Sequence, residues 1–113
     1  MAIPHGKSGE VIDICPAGGN SAQAKTATLI KSETLEIIRL AVPAGKEIPR
    51  HQAPGEITVQ CLEGRVRFTA GEENKELSAG QLIYLTSGVP HSLHGIEDAS
   101  ILLTIMLRQA VAG

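Results

Sequence analysis

Along Arg65-Val66-Arg67-Phe68-Thr69-Ala70 polar and apolar residues alternate one by one. A β-strand sends successive side chains to opposite faces, so this period of two predicts a strand with Val66, Phe68 and Ala70 turned inward. Comparable short stretches recur from about Ala27 onward: Ala27–Ile30, Leu35–Val42, Glu56–Leu62, Lys75–Leu77, Gln81–Leu85, His91–His94 and Ile101–Leu107. Gly and Pro punctuate them at intervals of roughly 8–12 residues, the spacing of an all-β sandwich or barrel. Gly64 stands between two strands, where a tight turn calls for positive φ. Ala70-Gly71-Glu72-Glu73-Asn74 reads as a hairpin loop. No amphipathic helix emerges, because β-branched residues cluster in short runs that breakers interrupt.

Residues 1–26 have a different texture, with Pro4, Pro16, a Gly18-Gly19-Asn20-Ser21 cluster and little periodicity. They are expected to form an N-terminal arm with one short strand, Glu10 to Ile14, ahead of a barrel domain over residues 27–113. A chain of 113 residues fits a single domain and needs no staple to sustain one core. A net charge of −2 argues against a nucleic-acid partner, which would call for a basic face. With Phe68 and Tyr84 as its aromatics and no Trp, the chain lacks the platforms that stack bases or sugars. No apolar run approaches the roughly 18 residues of a membrane span. The start, Met1-Ala2-Ile3-Pro4-His5-Gly6-Lys7, shows no basic segment followed by an apolar one, so a cytoplasmic location is expected. Cys15 and Cys61, far apart and outside any zinc-type spacing, read as two reduced thiols.

Two segments carry more than texture. One runs from Gly45 through His51, Ala53 and Ile57 to Gly64, the other from Gly80 through Thr86, Gly88 and His91 to Gly95. Together they resemble the paired motifs of the cupin superfamily, over roughly residues 27–107. Gly45, His51 and Gly64 match the first motif's opening glycine, first histidine and closing glycine. Gly80, Gly88 and His91 match the second motif's two glycines and its histidine. Ala53 stands at the family's second histidine position and Ile57 at its glutamate position, while Thr86 replaces a proline and Gly95 an asparagine. The resemblance implies a single-domain double-stranded β-helix, a jelly-roll barrel of the RmlC-like kind, and a homodimer. Members with the full motif hold a divalent metal with three His and one Glu, and this chain keeps two of the four.

His51 and His91 are therefore the candidate metal ligands, for Fe, Mn, Ni or Zn, with His91 expected on the strand opposite His51. Glu56 is a candidate third ligand if a bulge near Pro54-Gly55 turns it inward, since it lies one residue off the family position. His94, at an odd offset from His91, should face away. By parity the cavity should be lined by Ala53, Ile57, Val59, Cys61 and Val66, around a polar spot suited to a small molecule. Two readings stand side by side: a barrel that binds a small molecule, and a metal-dependent oxygenase, isomerase or decarboxylase. A purely structural barrel is the third. The last strand, Ile101–Leu107, is apolar on both faces, and at a sheet edge it would invite pairing into an isologous dimer.

Overall fold

The period-two stretches become two facing antiparallel sheets. The computed structural model describes residues 5–15 and 26–107, and among them there are nine strands and no helix: β1 (Ala27–Lys31), β2 (Leu35–Val42), β3 (Glu47–His51), β4 (Ile57–Glu63), β5 (Arg65–Ala70), β6 (Glu73–Ser78), β7 (Leu82–Leu85), β8 (His91–Gly95) and β9 (Ala99–Met106). A five-stranded sheet has the order β1-β2-β9-β4-β7 and a four-stranded sheet the order β3-β8-β5-β6. The crossovers between sheets make a double-stranded β-helix jelly roll.

The inner strands β4, β5 and β8 bury alternate residues against the other sheet. In β4, Ile57, Val59 and Cys61 point inward, and in β5 Val66 and Phe68 do. At the centre Val42, Cys61, Val66, Phe68 and Ile101 have no exposed surface. Burying a side chain of this size contributes about 1.5–3 kcal/mol, so this cluster dominates the stability of the fold.

Two glycines close one end of the interior. Gly64 has φ of 76°, and a Cβ there would overlap the backbone carbonyl of Asp98. Gly95 lies against the carbonyl of Pro43 with equally little room. Only a residue without a side chain lets these turns pack so closely.

Three expectations change. Segment 10–14 forms no strand. Its neighbourhood is tied instead by Glu10 N–H to the Lys7 carbonyl and Gly6 N–H to the Leu29 carbonyl, so its backbone finds partners without a ladder. Of the arm, Pro4, Pro16 and the Gly18–Ser21 cluster lie outside the described residues. β3 was not evident in the pattern, because it reads Glu47-Ile48-Pro49-Arg50-His51 and is largely exposed. It is an edge strand, where Pro49 needs no ladder donor. β9 is not an edge strand: it runs between β2 and β4. Its doubly apolar character follows from that central position, and the pairing argument drawn from it falls.

Candidate functional site

The site is built where β3 meets β8. Ile48 pairs with Leu93, but the next partners are His51 and His91, so β3 carries one more residue than β8 between the two pairs. A bulge of this kind flips the side chains beyond it to the other face. Without it Arg50 would stand beside His91; with it His51 does. The two histidines are cross-strand neighbours in one sheet, not residues of opposed walls, and their ring centroids are 4.2 Å apart at 63°. His91 is buried while His51 stands exposed at the rim. Phe68 stacks on His91 at 5.8 Å with the rings nearly parallel.

The same local device orients both rings. His51 Nδ1 lies 2.8 Å from the carbonyl of Pro49, and His91 Nδ1 lies 3.0 Å from that of Val89, each two residues back. A carbonyl only accepts, so in the neutral ring the proton sits on Nδ1 and Nε2 keeps its lone pair. Burial lowers the His91 pKa, the Val89 carbonyl pulls it back up, and neighbouring His51 lowers it further. This environment favours the uncharged imidazole, which is a hydrogen-bond acceptor at Nε2 and a ligand for metals.

Two cavities meet at the pair. The deeper, about 130 Å³, is walled by Leu40, Ile48, Val59, Phe68, Leu93 and Leu103 with both histidines. The outer, about 190 Å³, is formed by Glu36, Gln52, Ala53, Pro54, Ile57 and Ile105 with the same histidines and Leu103. Of the residues expected to line a cavity, Ala53 and Ile57 border the outer space and Val59 the deeper one. Cys61 and Val66 border neither. They lie in the closed part of the core, where the Cys61 thiol donates to the Glu63 carbonyl at 3.3 Å and burial raises its pKa.

Glu56 does not turn inward. Its carboxylate accepts a hydrogen bond from the Tyr84 hydroxyl on the outer face of the five-stranded sheet. The bulge that would have redirected it lies in β3 instead. His94, beside Glu47 and Arg67 in the register, sits on the outer face of the four-stranded sheet. Among the described residues no three His, Cys, Asp or Glu side chains come together as a metal-binding group. The two Nε2 atoms are half of a tetrahedral shell, so the residues present fit a metal only if other donors complete it.

The carboxylate in the wall of the outer cavity escaped the sequence reading, as did Gln52, Pro54, Leu103, Ile105 and Leu107 beside it. Glu36 occupies the inner face of β2, in the same row as Ile105 and Ile57. The signal was available: Glu36 is in phase with Ile38, Leu40 and Val42, so the parity that marks those three as interior marks Glu36 as well.

Residues 38–106 match the cupin domain family. Among solved structures, a conserved protein of unknown function from Streptococcus pyogenes is similar over 97% of both chains, at 26% identity and a TM-score of 0.75. A cupin superfamily protein from Desulfitobacterium hafniense aligns with 74% of this chain and 76% of its own, at 14% identity and a TM-score of 0.71. An RmlC-like cupin family protein from Methanocaldococcus jannaschii, described as a double-stranded β-helix, aligns over 74% and 80%, at 15% identity and a TM-score of 0.68. No curated protein is close enough to count as a match.

Proposed function

We propose that this chain, which belongs to the cupin family, binds a small molecule in the interior of its barrel, at the His51–His91 pair. The observation that carries the reading is the paired Nε2 lone pairs, fixed by the Pro49 and Val89 carbonyls at the junction of two cavities. A largely apolar pocket with a few convergent polar atoms is the usual form of a small-molecule site. The test is a thermal-shift screen of small metabolites on the parent and on a His51→Ala/His91→Ala variant. A ligand that binds only the folded state raises Tm. The reading expects hits that the double variant loses; hits that survive both substitutions would place the ligand elsewhere.

A second reading follows from the same lone pairs: a divalent ion, Fe, Mn, Ni or Zn, held by His51 and His91 and completed by donors of the bound molecule or water. An oxygenase, isomerase or decarboxylase activity would stand or fall with that ion. Metal analysis of untagged protein purified without chelator decides it. Stoichiometric metal that vanishes in the double variant supports the ion, and no uptake of any of the four removes it.

The partner we propose is a second copy of the chain. Leu82, Tyr84 and Met106, large apolar residues left 40–59% exposed, share the outer face of the five-stranded sheet. A face of this character is ordinarily covered, and an isologous dimer covers it. Sedimentation at micromolar concentration should give twice the chain mass; a single-chain mass contradicts the dimer.

A further inference from the structure

The outer cavity has acceptors on both of its walls. On the four-stranded sheet stand the Nε2 atoms of His51 and His91, and facing them on the five-stranded sheet stands the Glu36 carboxylate. Gln52 adds an amide that can donate or accept. Neither cavity has a lysine or arginine in its wall, so an anionic ligand would face the Glu36 carboxylate with no cation of the wall to receive it. The deeper chamber is apolar apart from the histidines, and its volume of about 130 Å³ is close to that of cavities which hold a benzene ring.

A carboxylate on the inward face of a barrel strand is costly unless its charge is answered. Among the described residues Glu36 has an ion-pair partner in Lys31, at 3.4 Å, whose side chain is about half exposed while that of Glu36 is 18% exposed. Such a half-exposed pair is weak, and a lysine at the rim is free to give way to a better-buried cation. We infer that Glu36 is a specificity-determining residue of this site, and that it selects a ligand carrying a protonated amine next to an apolar group no larger than a benzene ring. The ring enters the deeper chamber, and the amine remains in the outer cavity, donating to Glu36 and the histidine lone pairs. This inference rests on the small-molecule reading above and names the ligand class for it.

Three probes with one ring and different charge test it: benzylamine, benzyl alcohol and benzoate, titrated into the full chain by NMR. The expected order of affinity is amine, alcohol, benzoate. Glu36→Gln, which keeps the shape, should weaken benzylamine about tenfold, the scale of one charge-assisted hydrogen bond, and leave benzyl alcohol within roughly twofold. Glu36→Lys should invert the order in favour of benzoate. If the parent binds amine and alcohol alike and Glu36→Gln changes neither, the role of Glu36 is overturned while the cavity remains a binding site. Tightest binding of benzoate by the parent overturns the charge selection outright. If no probe binds, the ligand class is wrong. The small-molecule reading then falls too only if the metabolite screen yields no hit dependent on the histidines.

Discussion

The interior has two ends made from the same strands, and they are built differently. At the closed end Cys61, Val66 and Ile101 are fully buried, and Gly64 and Gly95 lie against backbone carbonyls of the opposing turns. At the open end β4 and β9 contribute the neighbours Ile57 and Ile105, which border a cavity with His51, His91 and Glu36 around it. The closed end keeps the family's glycine, because any side chain at Gly64 collides. At the open end Ala53 and Ile57 stand where the resemblance to the cupin motif implies two metal ligands, and the fold is complete with them. Residues that hold the barrel together and residues that border what it holds are thus four positions apart along β4 and β9.

The sharpest way to break this contrast is to cut the same residue at both ends of one strand. Ile101→Ala, at a site with no exposure, should cost about 3–4 kcal/mol in urea unfolding, and Ile105→Ala at the cavity about 1–2 kcal/mol. Equal costs would mean that the open end is packed as tightly as the closed one. Gly64→Ala should cost about 2–3 kcal/mol from its positive φ and the clash with Asp98 together.

The open end should instead gain function by substitution. Ala53→His with Ile57→Glu returns the family's ligand types beside His51 and His91, and should tighten Zn or Mn binding roughly a hundredfold, as a two-ligand site becomes a four-ligand one. Calorimetry with the metal ion alone measures it, and unchanged affinity would show that the strands at the mouth no longer place ligands correctly.

A smaller effect concerns pH. Because His91 is held below its ordinary pKa of 6.5, chiefly by burial, the unfolded chain takes up a proton in a range where the folded one does not. Stability is therefore full above pH 6.5 and falls as the pH drops through 6.5 towards the folded pKa. His91→Asn should flatten that slope in thermal unfolding; a parent profile that rises on acidification would reverse the sign. The least perturbing check is alkylation. Iodoacetamide should label exposed Cys15 within minutes and leave Cys61, buried and with its thiol pKa raised, unmodified in the native protein.

How far the sequence reveals this arrangement depends on what each feature needs. Most strands were legible as short apolar stretches between breakers: β2 and β5 have the limits the sequence predicts, and in β5 the burial of Val66 and Phe68 follows the period of two. β3 was not, since an exposed edge strand with Pro49 and Arg50 has no inner face to betray it. The histidine positions were legible from the motif spacing. Their adjacency was not, because it depends on a bulge between Ile48 and His51 that breaks the parity on which the reading relied. Cys61 and Val66 were placed on the correct face but at the wrong depth: alternation tells a residue's side and not its distance from the mouth. Glu36 was legible in principle and hidden by its neighbours, a single carboxylate within an apolar strand.

The proposed site depends on His51 and His91 presenting two unprotonated Nε2 atoms to the cavity. Long-range proton–nitrogen NMR of the imidazoles at about pH 8, above the ordinary histidine pKa, reads this directly. Both rings should be Nδ1–H tautomers, with Nε2 shifts typical of a bare nitrogen, and the Nε2 shifts should move when a site ligand is added. An Nε2–H tautomer for either ring would contradict this, because the acceptor pair on which the site is built would not exist.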